Sequence, residues 1–439
     1  MDRRKRPETF HISTYGCQMN LADSSTLSAT LTTRGFRRVK TDAEADLIIL
    51  NTCSVREKAE ERVFGRLGEL SRFKRERPDI RIAVVGCMAQ RLGEALVDQA
   101  PHVDYVLGTD RLFELADVIQ GVEGGSSVMT AFGHENIDVI EPIKETPYSG
   151  FVTISRGCSN FCTYCIVPYV RGKERSHSSA YIVDAVNKMV GEGVVEVCLL
   201  GQNVNSYRHD GAGFPELLRR VAGETDIQRI RYMTSHPKDL SEELIDVMAD
   251  EPKLMAHVHL PLQSGNNRIL QKMGRSYTIE HYLEIIDCIR ERLGDVSITT
   301  DLIVGFPSET KQEYQDTLSV VEKMRFDSAF MFRYSVRPGT AAAKYPDDVP
   351  EDVKIRRLTN LISMQRDISY DVNQREVGRT CFSLVEGDSR RSSEVLRART
   401  EGNKTVLFKA MKVLPGAVLP IRITEADAFT LHGEPVELN

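Results

Sequence analysis

The run Cys158-Ser159-Asn160-Phe161-Cys162-Thr163-Tyr164-Cys165 constrains this chain more than any other stretch, because it spaces three thiols as C-x3-C-x2-C. Three thiolates suit three irons of a 4Fe-4S cube and leave the fourth iron open to a ligand that is not protein. S-Adenosylmethionine, with its amino and carboxylate groups, can chelate such an iron. The competing reading is a zinc knuckle. Structural zinc is closed by four ligands, yet no cysteine follows Cys165 until Cys198, which lies inside an apolar run.

At 439 residues the chain exceeds one ordinary core, and about two to four domains are expected. No apolar run approaches the roughly 20 residues of a membrane span. Arg3, Arg4, Lys5 and Arg6 are followed by no apolar segment, so no secretory signal is expected and the location expected is cytoplasmic. Nine cysteines in such a chain argue for metal or redox work rather than a disulfide framework. Cys198, Cys288 and Cys381 sit in apolar or mixed segments and read as small buried hydrophobes. The net charge of -6 does not announce a polyanionic partner, so RNA would have to be met by a local patch.

From Glu8 to about Gln120, short β-like runs alternate with helical patterns, which favours a parallel α/β sheet. Three of those runs end in cysteine: Phe10 to Tyr15 leads to Cys17, Leu47 to Leu50 to Cys53, and Ile82 to Val85 to Cys87. The cysteines are 36 and 34 residues apart, each gap close to one strand-helix-strand unit of about 30 residues. All three thiols are therefore expected on the carboxyl edge of one sheet, where open α/β sheets place ligands. There they could surround a second cubane with an open iron. Any one of them alone reads more simply as a buried structural thiol.

Residues 121 to 149 are rich in glycine, serine and proline and read as a linker. From Phe151 to Ser335, six β-then-α repeats follow, with strands expected at Phe151–Ser155, Val194–Leu200, Arg229–Thr234, His257–Leu262, Ser297–Val304 and Asp327–Tyr334. Helical spacing marks Tyr181–Met189 and Tyr282–Leu293. Six units make an incomplete parallel barrel. Gln202, Asn203, Ser235, His236, Gln263 and Ser264 end strands and Asp301 lies within the fifth, which makes them candidate cofactor or substrate contacts, though each could equally cap a turn. A helix over about Glu351–Gln374 follows, with Leu358, Leu361, Met364, Ile368 and Val372 on one face.

The last residues, from Glu376 on, carry short β-prone runs at Cys381–Val385, Val406–Lys409, Ala417–Ile423 and Thr430–Leu431, consistent with a small antiparallel barrel. Arg390, Arg391, Arg397, Arg399, Lys404, Lys409 and Lys412 outnumber Glu394 and Glu401 there. With Phe408 among them, they suit an RNA backbone with an exposed base, although a solvated face explains the charge equally well.

Tyr15-Gly16-Cys17-Gln18-Met19-Asn20, Asn51-Thr52-Cys53-Ser54-Val55-Arg56-Glu57-Lys58-Ala59, Val85-Gly86-Cys87-Met88-Ala89-Gln90 and Ser155-Arg156-Gly157-Cys158 through Cys165 resemble the motifs of the methylthiotransferases, radical-SAM enzymes, over essentially the whole chain. Gln18-Met19 and Ser54-Val55 differ from the branch that modifies a ribosomal-protein aspartate, and Val55-Arg56 from the branch acting on threonylcarbamoyl-adenosine. The closest likeness is to the branch acting on isopentenyladenosine in tRNA. His177 stands where that branch often has a second Arg, a departure expected to bear on RNA contact.

The resemblance implies an α/β chain in four parts: an N-terminal Rossmann-like cluster domain (1–125), a linker (126–147), a partial (β/α)6 radical-SAM barrel (148–375) and a C-terminal antiparallel β-barrel, the TRAM domain (376–439). It implies that Cys158, Cys162 and Cys165 hold the radical-SAM 4Fe-4S cluster, that Cys17, Cys53 and Cys87 hold an auxiliary 4Fe-4S cluster that donates sulfur, and that Tyr164 lies by the cofactor's adenine. The implied reaction uses two molecules of S-adenosylmethionine per turnover to place a methylthio group on carbon 2 of isopentenyladenosine at tRNA position 37. An electron donor such as flavodoxin or ferredoxin, no membrane and a monomeric state are expected with it. The rivals are the same chemistry on another target and a non-enzymatic, metal-stabilised RNA-binding scaffold.

Overall fold

The computed structural model describes residues 7–54, 57–121, 127–133, 142–389 and 392–436. The first unit is a six-stranded parallel sheet in the order Arg37–Arg38, Thr9–Thr14, Leu47–Thr52, Arg81–Gly86, Tyr105–Leu107, Val128–Met129. Every residue of Leu47–Thr52 and Arg81–Gly86 is buried, as expected where helices cover both faces of a parallel sheet. One face packs Ile48, Leu50, Ile82 and Val84 against Val63, Leu67 and Leu70 of helix Glu57–Glu76. The other packs Ile49, Ala83 and Val85 against Leu27 and Leu31 of helix Gln18–Thr33. The strand order reverses between Thr9–Thr14 and Leu47–Thr52, and a ligand is expected outside the carboxyl ends of those strands. Cys17 and Cys53 stand there.

The central unit has six parallel strands, Ser149–Thr153, Glu196–Leu200, Arg229–Tyr232, His257–His259, Ser297–Val304 and Ser328–Arg333. The first three and last three form two sheets joined by a parallel bridge between Ile230 and Leu254, giving the incomplete barrel that six repeats imply. Helices Ser179–Gly191, Phe214–Glu224, Glu242–Asp250, Ile279–Leu293, Lys311–Met324 and Glu351–Gln374 wrap it around one large apolar core. Two details depart from expectation. The fourth strand stops at His259 instead of Leu262 because Pro261 has no N–H for a ladder. The stretch expected to be linker contributes Val128–Met129 to the first sheet and Ile143–Lys144, antiparallel, to the second.

The C-terminal unit is a closed five-stranded barrel, Thr380–Ser389, Ser392–Thr400, Thr405–Lys409, Val418–Ala426 and Thr430–Pro435. It is mostly antiparallel, with one parallel pair between Thr405–Lys409 and Thr430–Pro435. It docks on the amino ends of the central strands. Arg229 and Arg231 both bind Glu196 at 2.9 Å, and Arg231 donates to the carbonyls of Thr400 at 2.6 Å and Glu401 at 3.0 Å. Lys404 joins the same seam through Asp327 at 2.8 Å and Glu376 at 3.0 Å.

Candidate functional site

The Cys158 loop is shaped by its backbone. Gly157 has φ +76°, and a Cβ there would lie 2.2 Å from the Lys173 carbonyl oxygen and 2.6 Å from that of Gly172, so only glycine fits ahead of Cys158. The loop is pinned by Cys158 N–H to the Gly172 carbonyl at 3.1 Å, Cys165 N–H to that of Cys162 at 2.9 Å, and Thr163 N–H to that of Met273 at 2.9 Å. Phe161, between the first two cysteines, is left-handed at φ +45°, the kind of strain that persists where surrounding structure over-determines it. Arg275 places Nη1 3.5 Å from Cys162 Sγ while Nη2 holds the Pro261 carbonyl at 3.1 Å and its plane lies over Tyr277. Sequence reasoning missed Arg275, which approaches from another strand-end loop.

Burial pushes the Cys158 thiol up and the Cys165 thiol to about 12, with the neighbouring thiols adding to the rise. Thiols so placed stay protonated unless positive charge arrives, and a metal core supplies it. The donor set therefore fits a cluster. Among the described residues, no three His, Cys, Asp or Glu side chains converge tightly enough for a single ion. A cubane needs a wider arrangement, since its three thiolates bind different irons.

The second triad comes from three adjacent strand ends. Cys17 caps helix Gln18–Thr33, Cys53 follows strand Leu47–Thr52, and Cys87 begins helix Cys87–Leu92 directly after strand Arg81–Gly86. Two buried asparagines of the motifs sew these loops together. Asn20 accepts the Cys17 N–H at 3.3 Å and donates to Asn51 Oδ1 at 3.2 Å and the Thr52 carbonyl at 3.1 Å. Asn51 donates back to the Asn20 carbonyl at 2.8 Å and to Ser24 Oγ at 2.9 Å. Gly86 closes the set: its φ is +93°, and a Cβ would sit 2.5 Å from Asn51 Oδ1. The asparagines and glycines flanking the cysteines thus hold one motif against the next.

Two cysteines of the first unit, Cys87 and Cys17, pack against residues of the central unit. Cys87 packs with Ile166 and Val170, which follow closely on Cys165. Cys17 packs with Met19, Phe151 and Leu200 at the central sheet.

At the carboxyl ends of the barrel strands, four buried polar atoms have no hydrogen-bond partner: Ser155 Oγ, Asn203 Oδ1, Ser235 Oγ and Gln263 Oε1. Asn203, Ser235 and Gln263 were expected there from sequence; Ser155 was not. Buried polar atoms are nearly always paired, so this set fits a polar cofactor. Thr234 and Gln263 are left-handed, at φ +70° and +68°. Asn203 is steadied by Asp239 at 2.7 Å, and Asp301 lies 3.4 Å from His259. Gln202 is half-buried. His236 instead caps a turn through Lys238 N–H, and Ser264 accepts the Asn266 N–H. Tyr164 packs against Ile269, Met273, Phe306 and Tyr334, and burial raises its phenol.

The basic C-terminal stretch divides. Arg397 and Arg399 both bind Glu386, at 2.6 and 2.7 Å, and Lys404 is tied into the interface described above. Those three charges are met within the protein. Lys409 and Lys412 are exposed, while Arg390 and Arg391 lie outside the described residues. Phe408, expected to offer a stacking face, is 3 % exposed in the barrel core, because its strand alternates inward and outward and Phe408 points in. Phe429, in a turn of the same barrel, is 76 % exposed, and Phe382, on its first strand, 43 %. His177 is fully buried and stacks on Tyr181 at 5.0 Å, so its departure from the usual residue does not reach RNA.

Residues 9–108 match the uncharacterized protein family UPF0004, residues 152–321 the radical SAM superfamily and residues 374–436 the TRAM domain. A tRNA-2-methylthio-N(6)-dimethylallyladenosine synthase of Moorella thermoacetica is 45 % identical over 99 % of both chains, and one of Carboxydothermus hydrogenoformans is 45 % identical over 97 % of this chain and 99 % of its own. Among solved structures, the radical S-adenosylmethionine methyltransferase TsrM from Kitasatospora setae, with cobalamin and a [4Fe-4S] cluster bound, superposes with a TM-score of 0.58 at 16 % identity, over 76 % of this chain and 77 % of that one. OxsB, a cobalamin-dependent S-adenosylmethionine radical enzyme, gives 0.55 at 13 % identity over 82 % and 56 %. The last two show a shared fold alone. With its three matched regions and relatives of this identity along its full length, the chain belongs to the tRNA-2-methylthio-N(6)-dimethylallyladenosine synthase family of radical-SAM methylthiotransferases.

Proposed function

We infer that this chain converts N6-isopentenyladenosine at position 37 of tRNA to its 2-methylthio derivative. One observation carries the reading: Cys87, at a strand end of the first unit, packs against Ile166 and Val170, which follow closely on Cys165 in the central unit. Cys158, Cys162 and Cys165 are assigned to the radical-SAM cluster and Cys17, Cys53 and Cys87 to the auxiliary cluster. When bound, two [4Fe-4S] clusters and S-adenosylmethionine supply the electron, the radical and the sulfur, because no protein acid or base can activate the C–H bond at carbon 2 of adenine near neutral pH.

The chain's own contribution is placement. Ser155, Gln202, Asn203, Ser235, Gln263 and Asp301 would orient the cofactor at the strand ends, and Tyr164 would lie along its adenine. Gly157 and the backbone bonds of the Cys158 loop fix where the first cluster stands. Asn20, Asn51 and Gly86 fix the spacing of the second. Unpaired anticodon-loop bases are cheap to splay into such a mouth. Lys409 and Lys412, with Arg390 and Arg391, are assigned to the RNA backbone.

No helix among the described residues is long and apolar enough to cross a membrane. A tRNA substrate supports a cytoplasmic location, and the chemistry calls for a low-potential electron donor such as flavodoxin or ferredoxin.

Anaerobic analysis of the reconstituted protein should find about eight iron and eight sulfide per chain, as two cubanes require. Replacing Cys17, Cys53 and Cys87 by Ala should halve both and abolish thiolation of isopentenyl-tRNA while 5'-deoxyadenosine is still formed. Loss of 5'-deoxyadenosine in a folded variant that keeps the other cluster would overturn the division of labour. Zinc without iron would overturn the whole reading.

A further inference from the structure

The last strand of the central unit carries two phenylalanines turned away from the protein's own core. Ser328–Arg333 stands at the edge of its sheet, and side chains along a strand alternate between its faces. Ala329 and Met331 pack into the large core that the helices cover, so Phe330 and Phe332 project from the other face, the inner face of the barrel. The register agrees. Phe330 pairs with Asp301 and Phe332 with Ile303, and directly paired residues share a face. The Phe330 and His259 rings make a T-shaped contact, centroids 6.0 Å apart, and His259 lies 3.4 Å from Asp301. Yet Phe330 is 56 % and Phe332 45 % exposed. On the first two strands the inner face is filled, because Phe151, Cys198 and Leu200 pack with Cys17 and Met19 of the first unit. Two large apolar rings left open to water side by side are informative where a single one is not.

Resting on the reading that the substrate is isopentenyladenosine in tRNA, we propose that Phe330 and Phe332 are specificity-determining residues that hold its isopentenyl group. Shape, polarity and position agree on that occupant. Two rings on one face of a strand, about 7 Å apart along it, make an apolar wall wide enough for a branched five-carbon chain, and they offer nothing to a phosphate or a sugar hydroxyl. The wall is apolar on one side only. His259 and Asp301 stand beside Phe330, and the edge of a purine carrying that chain needs polar neighbours of this kind. Position ties the wall to the cofactor: Ile303, in register with Phe332, packs in the same cluster as Tyr164. A chain seated on the two rings therefore keeps its base at the strand ends where Ser235 Oγ and Gln263 Oε1 are unpaired. Binding a part of the substrate that does not react serves to place the part that does. An adenine without the isopentenyl group leaves both rings in water and forgoes that burial.

The test uses the full chain with both clusters reconstituted, S-adenosylmethionine present and no reductant, so that binding is read without turnover. Two anticodon stem-loop RNAs, identical except for the isopentenyl group on the base at position 37, are titrated by fluorescence anisotropy. The parent should prefer the prenylated hairpin. Phe330→Ala combined with Phe332→Ala should lower that preference by about tenfold, in a protein whose iron and sulfide stay at the parent's values. Phe332→Trp, which fills the space, should weaken binding of the prenylated hairpin more than that of the plain one. An unchanged preference in the double variant overturns the proposal, and so does an equal loss for both hairpins, which makes the rings a general RNA contact. Should the double variant fail to hold its clusters, Phe332→Trp decides alone. A parent that methylthiolates the prenylated hairpin under reducing conditions yet binds both hairpins alike removes only this inference, whereas a parent that forms no methylthio product from it removes the functional reading itself.

Discussion

Gly157 is the residue on which the first thiol loop depends most directly, since its left-handed φ and the carbonyls of Gly172 and Lys173 leave no room for a Cβ. Gly157→Ala should cost about 1–3 kcal/mol of local strain and lower both iron at the Cys158 loop and 5'-deoxyadenosine formation, measured by iron analysis and product assay. The lysines of the C-terminal barrel separate in a similar way. Lys404→Ala, which strands Asp327 and Glu376 in the interface, should cost about 2 kcal/mol in denaturant unfolding and leave the salt dependence of tRNA binding unchanged. Lys409→Ala and Lys412→Ala should leave stability unchanged and each reduce the salt slope by about one. Composition could not separate these lysines. Their charge is legible in sequence, but whether a carboxylate meets it depends on Asp327, far away in the chain. Cys158, Cys162 and Cys165 stood out because their spacing is local, and Cys17, Cys53 and Cys87 because each closes a β-like run. Arg171 and Arg275 did not, because an arginine matters here only for what the fold brings beside it.

At the scale of elements, the strand-end cysteines followed from alternation of short apolar runs with helical patterns, and Ser297–Val304 is placed where its pattern predicts. Short strands were harder. Val128–Met129 and Ile143–Lys144 have two residues each, too few for any period to show. Ser392–Thr400 was hidden by its charges, since Arg397 and Arg399 point outward on a strand whose inner face is Leu396 and Ala398. Inside the central barrel, burial lowers His257 to about 3 and His236 to about 2. Their unfolded values lie near 6.5, so between about pH 6.5 and 3 the unfolded chain binds protons that the folded chain refuses. Stability should therefore fall as pH drops through that window, and His257→Asn should flatten the fall when unfolding is followed by denaturant titration at stepped pH. The His257 ring holds Thr299 Oγ1 at 2.9 Å, and asparagine keeps a group able to meet that hydroxyl without the titration.

For the whole molecule, the arrangement places the thiol triads at one end of the central strands and the C-terminal barrel at the other. Glu196 holds the lower seam, since it binds two buried arginines at once. Glu196→Gln should leave Arg229 and Arg231 under-compensated, cost about 3 kcal/mol, and expose the junction near residues 375–380 to limited proteolysis while 5'-deoxyadenosine formation continues. At the upper seam, helix Val167–Arg171 starts two residues after Cys165 and ends on the side chain that grips Asp23. The Cys158 loop and the helix that Cys17 caps are thereby mounted on a common bracket rather than on parts that must find each other. A chimera that borrows its first hundred or so residues from another sulfur-inserting enzyme should stay in alignment only when the transplant brings an acid to the position of Asp23.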